Sequence, residues 1–189
     1  MVDDSSPAAP PATRIRPAVL DDVPALHGLI CELAAYEREP DAVQAGPEDL
    51  RAALFADRPL LHALVAEVAG SGGSGGSGGF QIAGMALWFV SYSTWRGRHG
   101  IWLEDLFVRP LHRGLGLGRA LLAELAAEAT DRGYARLEWN VLDWNEPALG
   151  FYATLGAEPL AEWTMHRLSD DALIALAGRR SRRPAVPSA

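Results

Sequence analysis

Three groups of residues in this chain have the types and spacing to do chemistry. The first is Arg113-Gly114-Leu115-Gly116-Leu117-Gly118, set between an apolar run and a strong helical pattern. Glycines there permit unusual backbone angles and close approach of a ligand. The first N–H groups of the following helix would converge on one spot and favour an anion such as a pyrophosphate. Arg113 and Arg119 can add positive charge. Two familiar glycine loops do not fit. The dinucleotide loop requires G-x-G-x-x-G after the first strand of a βαβ unit, with an acid about 20 residues on. Here the spacing differs and the motif comes late. The nucleotide-hydrolase phosphate loop requires a lysine, and all 17 basic residues are arginine. That composition also excludes a Schiff-base lysine.

The second group is Leu103-Glu104-Asp105-Leu106-Phe107-Val108. Side chains alternate along a strand, so the two carboxylates point to opposite faces. Burying a carboxylate without a purpose is costly, so one of them is expected to line a cleft. Glu104 is given the catalytic reading, and Asp105 a structural hydrogen bond at a bulge or sheet edge. The third group runs from Asn145-Glu146-Pro147 to Phe151-Tyr152. Asn145 suits a helix N-cap and Pro147 the first turn. Phe151 reads as core; Tyr152 is either core or, beside a leaving thiolate, a proton donor.

The spacing of apolar residues predicts the elements that position these groups. Strands are expected at Thr13–Ala18, Leu60–Val68, Phe80–Tyr92, Ile101–Val108, Ala135–Val141 and Pro159–Leu168. A helix capped by Asp21 or Asp22 runs to about Glu37, and Pro47 opens another whose inner face is Leu50, Leu54 and Phe55. Leu117 to Arg132 is the clearest helix; Glu146–Leu155 and Asp170–Ala177 follow. The order β-α-α-β-β-β-α-β-α-β gives an α/β (α+β) fold, a mixed central sheet with helices on both faces.

Composition bounds the rest. Of 189 residues, 49% are hydrophobic and 22% charged, an ordinary globular balance. The folded domain is expected over 13–177. Residues 1–12 read as a disordered tail, 70–79 as a flexible Gly/Ser hairpin loop and 178–189 as a solvated tail. The start lacks a basic n-region and an apolar h-region, so a cytoplasmic location is expected, with no membrane span. A net charge of −7 argues against nucleic acid and suits a cationic partner. Cys31 is the sole cysteine, expected to be buried on the first helix. One cysteine and histidines without ligand spacing lead to the expectation of no metal.

Taken together, these residues resemble the diamine (spermidine/spermine) N-acetyltransferases of the GNAT superfamily, from about Ile15 to Ala177. R-x-x-G-x-G at Arg113–Gly118 matches the superfamily's acetyl-CoA pyrophosphate loop. Ile15-Arg16-Pro17-Ala18, Glu32-Leu33-Ala34-Ala35-Tyr36-Glu37, Leu103-Glu104-Asp105 and Trp144-Asn145-Glu146-Pro147 with Phe151-Tyr152 mark the branch. The resemblance implies a GNAT fold and acetyl transfer from acetyl-CoA to a small primary amine by direct attack. It implies Glu104 as general base and Tyr152 as general acid. Phe107, Val108 and Arg109 would line the acetyl-CoA site through their backbone. Arg113, Gly114, Leu115, Gly116, Leu117, Gly118 and Arg119 would hold the pyrophosphate, and Asn145 the pantetheine arm. Tyr36, Glu37, Trp95 and Trp163, with Glu104, would meet the amine, and the enzyme would be a homodimer. Ser93-Thr94 stand where polyamine enzymes tend to carry an aspartate, Ala35 where a basic residue is usual, and the Trp95–Glu104 spacing holds one extra residue. A lysine-like or thialysine-like amine or a short diamine fits as well as a polyamine. Two other functions share the pattern: a protein lysine or N-terminal acetyltransferase, and a non-catalytic acyl-CoA sensor.

Overall fold

A computed structural model of the chain describes residues 10–70 and 79–180. The expectations for residues 1–9, the Gly/Ser stretch 71–78 and the tail 181–189 fall outside them. The chain divides into two compact units, Met1–Asn140 and Val141–Ala189.

The first unit is a five-stranded sheet in the order β1-β2-β3-β4-β5. Its strands are β1 (Thr13–Pro17), β2 (His62–Ala69), β3 (Phe80–Ser93), β4 (Arg98–Val108) and β5 (Leu137–Glu138). β1 to β4 pair antiparallel, and β5 pairs parallel to β4 at Ile101↔Leu137 and Trp102↔Glu138. A parallel neighbour requires a crossover, and the helix α3 (Leu117–Asp131) supplies it.

The other helices of this unit are α1 (Val23–Tyr36) and α2 (Pro47–Phe55). Leu26, Leu29, Leu50 and Leu54 from these two helices form one core cluster with Met85, Leu87 and Phe107 of the sheet. α3 buries Leu117, Leu121, Leu122 and Leu125 and packs on β1, β3 and β4. These are the apolar faces the helical periodicity predicts. Phe55, expected inside, is exposed at the last residue of α2. Cys31 is also exposed, on the outer side of α1 with its Sγ 3.9 Å from His27 Nδ1.

Asp22 does not cap α1 through its side chain. Its carboxylate instead accepts from both Arg16 Nη atoms, at 2.6 and 2.9 Å, and from the Val19 N–H at 2.8 Å. Arg16 Nη2 also donates to Glu67 at 2.8 Å. Asp22 and Glu67 are only 6% and 4% exposed. Burial pushes both carboxyls up, but the arginine bonds outweigh it and hold both below the ordinary carboxylate range. A charged triad thus joins β1, β2 and the start of α1.

Two expected strands are corrected. The one at Ala135–Val141 shrinks to Leu137–Glu138, and Pro159–Leu168 forms no strand. Alternating sequence shows that a segment can pair, but a strand exists only where a partner satisfies its backbone. In the second unit, α4 (Glu146–Ala153) and α5 (Asp170–Ala177) are the helices, joined by an exposed segment. No helix of the described residues is long and apolar enough to cross a membrane.

Candidate active site

The register of β3 against β4 slips once. Leu87 faces Asp105 while the next residue, Trp88, faces Leu103, so Glu104 is the extra residue of a β-bulge. A bulge leaves one residue out of the ladder, bends its strand and re-aims the side chain. Glu104 is accordingly exposed, with Oε2 accepting from Trp102 Nε1–H at 3.0 Å. Burial falls instead on Asp105, the acid read as structural.

Asp105 is half-buried, and its carboxyl is pushed up to about 6 by burial first, then by the charges of Glu104 and Glu37. Glu37, just past α1, is itself raised by burial. Three acids therefore converge, and Asp105 is the one whose carboxyl is moved furthest. Its charge costs the fold stability. Below about pH 4 the proton is held in folded and unfolded chains alike; the cost grows between about 4 and 6 and is complete above that. Asp105→Asn is therefore expected to raise stability by about 2 kcal/mol at pH 7.5 and by almost nothing at pH 4. Urea melts at the two pH values read this, and an equal gain at both would contradict it.

Beyond the bulge, β4 leads to the glycine loop along an open edge. Arg109 N–H donates to Ala83 O at 2.9 Å, on the β3 side. Alternation then turns the N–H and C=O of Val108 the other way, where β5 has already ended. The Val108 N–H thus faces the gap between β4 and β5, available to an extended ligand or a carbonyl oxygen.

The loop itself has the backbone that the glycines predict. Gly114 and Gly116 have φ of +82° and +79°, with open space where a Cβ would stand. An L side chain is excluded there by strain and not by collision. Gly116 caps α3, whose first intrahelical bond runs from Ala120 N–H to Gly116 O at 2.9 Å. Leu117, Gly118 and Arg119 precede that bond, so their amides form the positive end of the helix. The loop and helix start fit a pyrophosphate.

Arg109 and Arg113 both reach α1. Arg109 grips Glu32 of α1 through Nε and Nη2, at 2.8 to 3.0 Å, and donates from Nη1 to Ile82 O at 2.9 Å. Arg113 donates from Nε to Val108 O at 3.0 Å, with its guanidinium 4.9 Å from the Tyr36 ring centroid and 5.8 Å from that of Phe107. No sequence signal announces either contact, because both depend on the packing of α1 against β4.

Among the expected amine-side residues, Tyr36 and Glu37 stand at the end of α1 near Asp105. Trp95 is 89% exposed at the tip of the β3–β4 hairpin. At about 3.3 Å per residue this tip is roughly 20 Å along the strand from Glu104, so the unit does not bring them together. In the second unit, Asn145 caps α4, its side chain accepting from Ala148 N–H at 3.3 Å. Tyr152 is half-buried on the same helix, its ring centroid 5.3 Å from that of Phe151. Trp163 is exposed.

The sequence profile of the Acetyltransferase (GNAT) family matches residues 30–157, spanning β4, the glycine loop and α4. The chain belongs to the GNAT family. GNAT enzymes take an acetyl group from acetyl-CoA, and the open β4 edge and the glycine loop are the parts suited to that donor. The bovine thialysine N-epsilon-acetyltransferase is 40% identical over 87% of this chain and 97% of its own length. The L-ornithine N5-acetyltransferase of Arabidopsis thaliana is 31% identical over 87% of each. Among solved structures, a Vibrio cholerae integron cassette protein shares the fold of this GNAT enzyme with a TM-score of 0.68, at 24% identity over 87% of this chain and 97% of the other.

Proposed function

We propose that this GNAT enzyme acetylates the side-chain amine of a lysine-like small molecule, of the thialysine or ornithine kind. The observation that carries the proposal is the bulge at Glu104: it lifts one carboxylate out of the ladder immediately before an open strand edge that runs into an anion-binding loop. The acetyl donor would lie along the outer edge of β4, with its pyrophosphate on the amides of residues 114–119. Asn145 would meet the pantetheine arm. The Val108 N–H would polarise the thioester carbonyl, a contribution of about 3 kcal/mol for one well-aimed donor. Phe107 and Arg109 flank that amide, Phe107 in the core and Arg109 tied to Glu32.

The amine would be met by Glu37, Glu104 and Asp105, beside Tyr36. Clustered acids suit an ammonium group and disfavour an anionic acceptor. Glu104 would take the proton from the amine, and Tyr152 would give one to the departing thiolate. The identity with thialysine and ornithine acetyltransferases supports the substrate class. Ser93 and Thr94, in place of an acid, support a short amino acid over a long polyamine. We also propose a homodimer: Leu160, Leu168, Leu173, Ile174 and Leu176 of the second unit are all exposed, and exposed apolar side chains are what an association surface uses.

The test is CoA release from acetyl-CoA with thialysine, lysine, ornithine, spermidine and a short diamine, alongside sedimentation equilibrium for the mass of the particle. Thialysine or ornithine is expected to exceed spermidine in kcat/KM by about tenfold or more, the scale of the roughly 1–3 kcal/mol that one buried polar group left unsatisfied costs. Preference for spermidine would make the chain a polyamine enzyme. Coenzyme binding without release for any amine would make it a sensor.

A further inference from the structure

We infer that Arg113, the first residue of the glycine-loop motif, is a positioning residue that couples the acetyl-donor edge to the amine side, and does not serve as a phosphate ligand. The inference rests on the acetyl-transfer function proposed above. The loop and the end of α1 come from distant parts of the sequence, yet Arg113 touches both. Its Nε–H donates to the carbonyl of Val108, and its guanidinium lies over Tyr36 and Phe107. Val108 is the residue whose own N–H faces the β4–β5 gap. Because N–H and C=O of one strand residue point the same way, a donor holding the Val108 carbonyl also fixes the direction of the Val108 amide. A shift of about 1 Å in such a donor can cost on the order of a hundredfold in rate.

A second pair repeats the arrangement one helical turn away. Arg109 and Arg113 are four residues apart, and so are their partners Glu32 and Tyr36 on α1. Residues at this spacing share a helix face. Glu32 and Tyr36 therefore present one stripe of α1 to the segment that leaves β4. Tyr36 is followed by Glu37, one of the three converging acids. A change in the aim of the donor edge would thus be felt where the amine sits. A phosphate ligand would instead need its guanidinium over the start of α3, and Arg113 turns back toward α1. Lysine cannot replace it in this role, since the contact depends on a planar cation that stacks and donates in a fixed direction.

The experiment uses the full chain, with acetyl-CoA and thialysine as probes. Acetyl-CoA is titrated by calorimetry into the unaltered protein, Arg113→Met and Arg113→Lys at low and high salt. The kinetics of thialysine acetylation are measured on the same proteins and on Tyr36→Leu and the Arg113→Met/Tyr36→Leu double variant. Both Arg113 variants are expected to bind acetyl-CoA within about threefold of the unaltered protein with an unchanged salt dependence, while kcat/KM for thialysine falls by about tenfold or more. The double variant is expected to be little worse than the poorer single one, because the two side chains act through one contact. A phosphate role would be revealed by coenzyme affinity about tenfold weaker in Arg113→Met and restored by lysine, and that result overturns the inference. Multiplying losses in the double variant overturn it too. If Arg113→Met does not fold, as judged by its melting curve, Arg113→Lys decides: restored kinetics refute the coupling and lost kinetics support it. If the unaltered protein binds no acetyl-CoA, it is the acetyl-transfer function that fails, a different outcome from either.

Discussion

Glu104→Gln is expected to lower kcat/KM for the amine by about 10²–10³-fold near pH 7, the contribution of a positioned general base. The acceptor explains the size. An alkyl ammonium titrates near 10.4, so about one molecule in a thousand is a neutral nucleophile at pH 7.4, a handicap of about 4 kcal/mol. Glutamine keeps the shape and the bond from Trp102 but cannot take the proton. The variant must then wait for the amine to lose its proton to water. Its rate should therefore rise about tenfold per pH unit up to the amine pKa, and the gap to the unaltered enzyme should close as pH rises. The decisive comparison is with Asp105→Asn, because Asp105 sits one residue away and its carboxyl titrates at about 6. If Asp105→Asn shows the larger loss and the steeper pH dependence, Asp105 is the base and Glu104 only attracts the cation. Equal rates for Glu104→Gln and the unaltered enzyme at pH 7 would remove Glu104 from the chemistry.

Tyr152→Phe is expected to lower kcat by about a hundredfold, the usual scale for losing a positioned acid, with the calorimetric affinity for acetyl-CoA unchanged. Phenylalanine retains the ring and its contact with Phe151 and removes only the hydroxyl. The loss should therefore fall on turnover and spare the fold, which a melting curve checks. A weaker acetyl-CoA affinity with normal turnover at saturation would mean that the hydroxyl binds the donor without protonating the thiolate. Together the two variants separate proton removal from proton delivery, since only the first defect should be relieved by raising pH.

The glycine loop was legible in the sequence because its function depends on backbone angles that few residues other than glycine adopt. Gly114 and Gly116 both take positive φ, where a side chain would be strained. The Leu117–Asp131 helix and the inner faces of α1 and α2 were legible for a related reason: helical periodicity is a local property. That the segment Pro159–Leu168 forms no strand was not legible, because alternation describes a capacity to pair and says nothing of a partner. Asp22 had the type and position of a helix cap; its bonds to Arg16 and Val19 were decided by where Glu67 and the end of β1 came to lie.

The sequence by itself determined the chemistry available: two adjacent carboxylates, a phenol, an anion-binding turn and no lysine. Only the tertiary structure decided how these groups are used. The β3–β4 register places the bulge at Glu104 and so exposes one carboxylate while partly burying its neighbour. The packing of α1 on β4 brings Arg109 to Glu32 and Arg113 to Tyr36. The physical reason is the range of the forces. Backbone strain and helical periodicity act over a few residues and leave a mark in the sequence. Desolvation and ion pairing depend on which distant segments meet, and a guanidinium has the same sequence signature whether it faces phosphate, carboxylate or an aromatic ring.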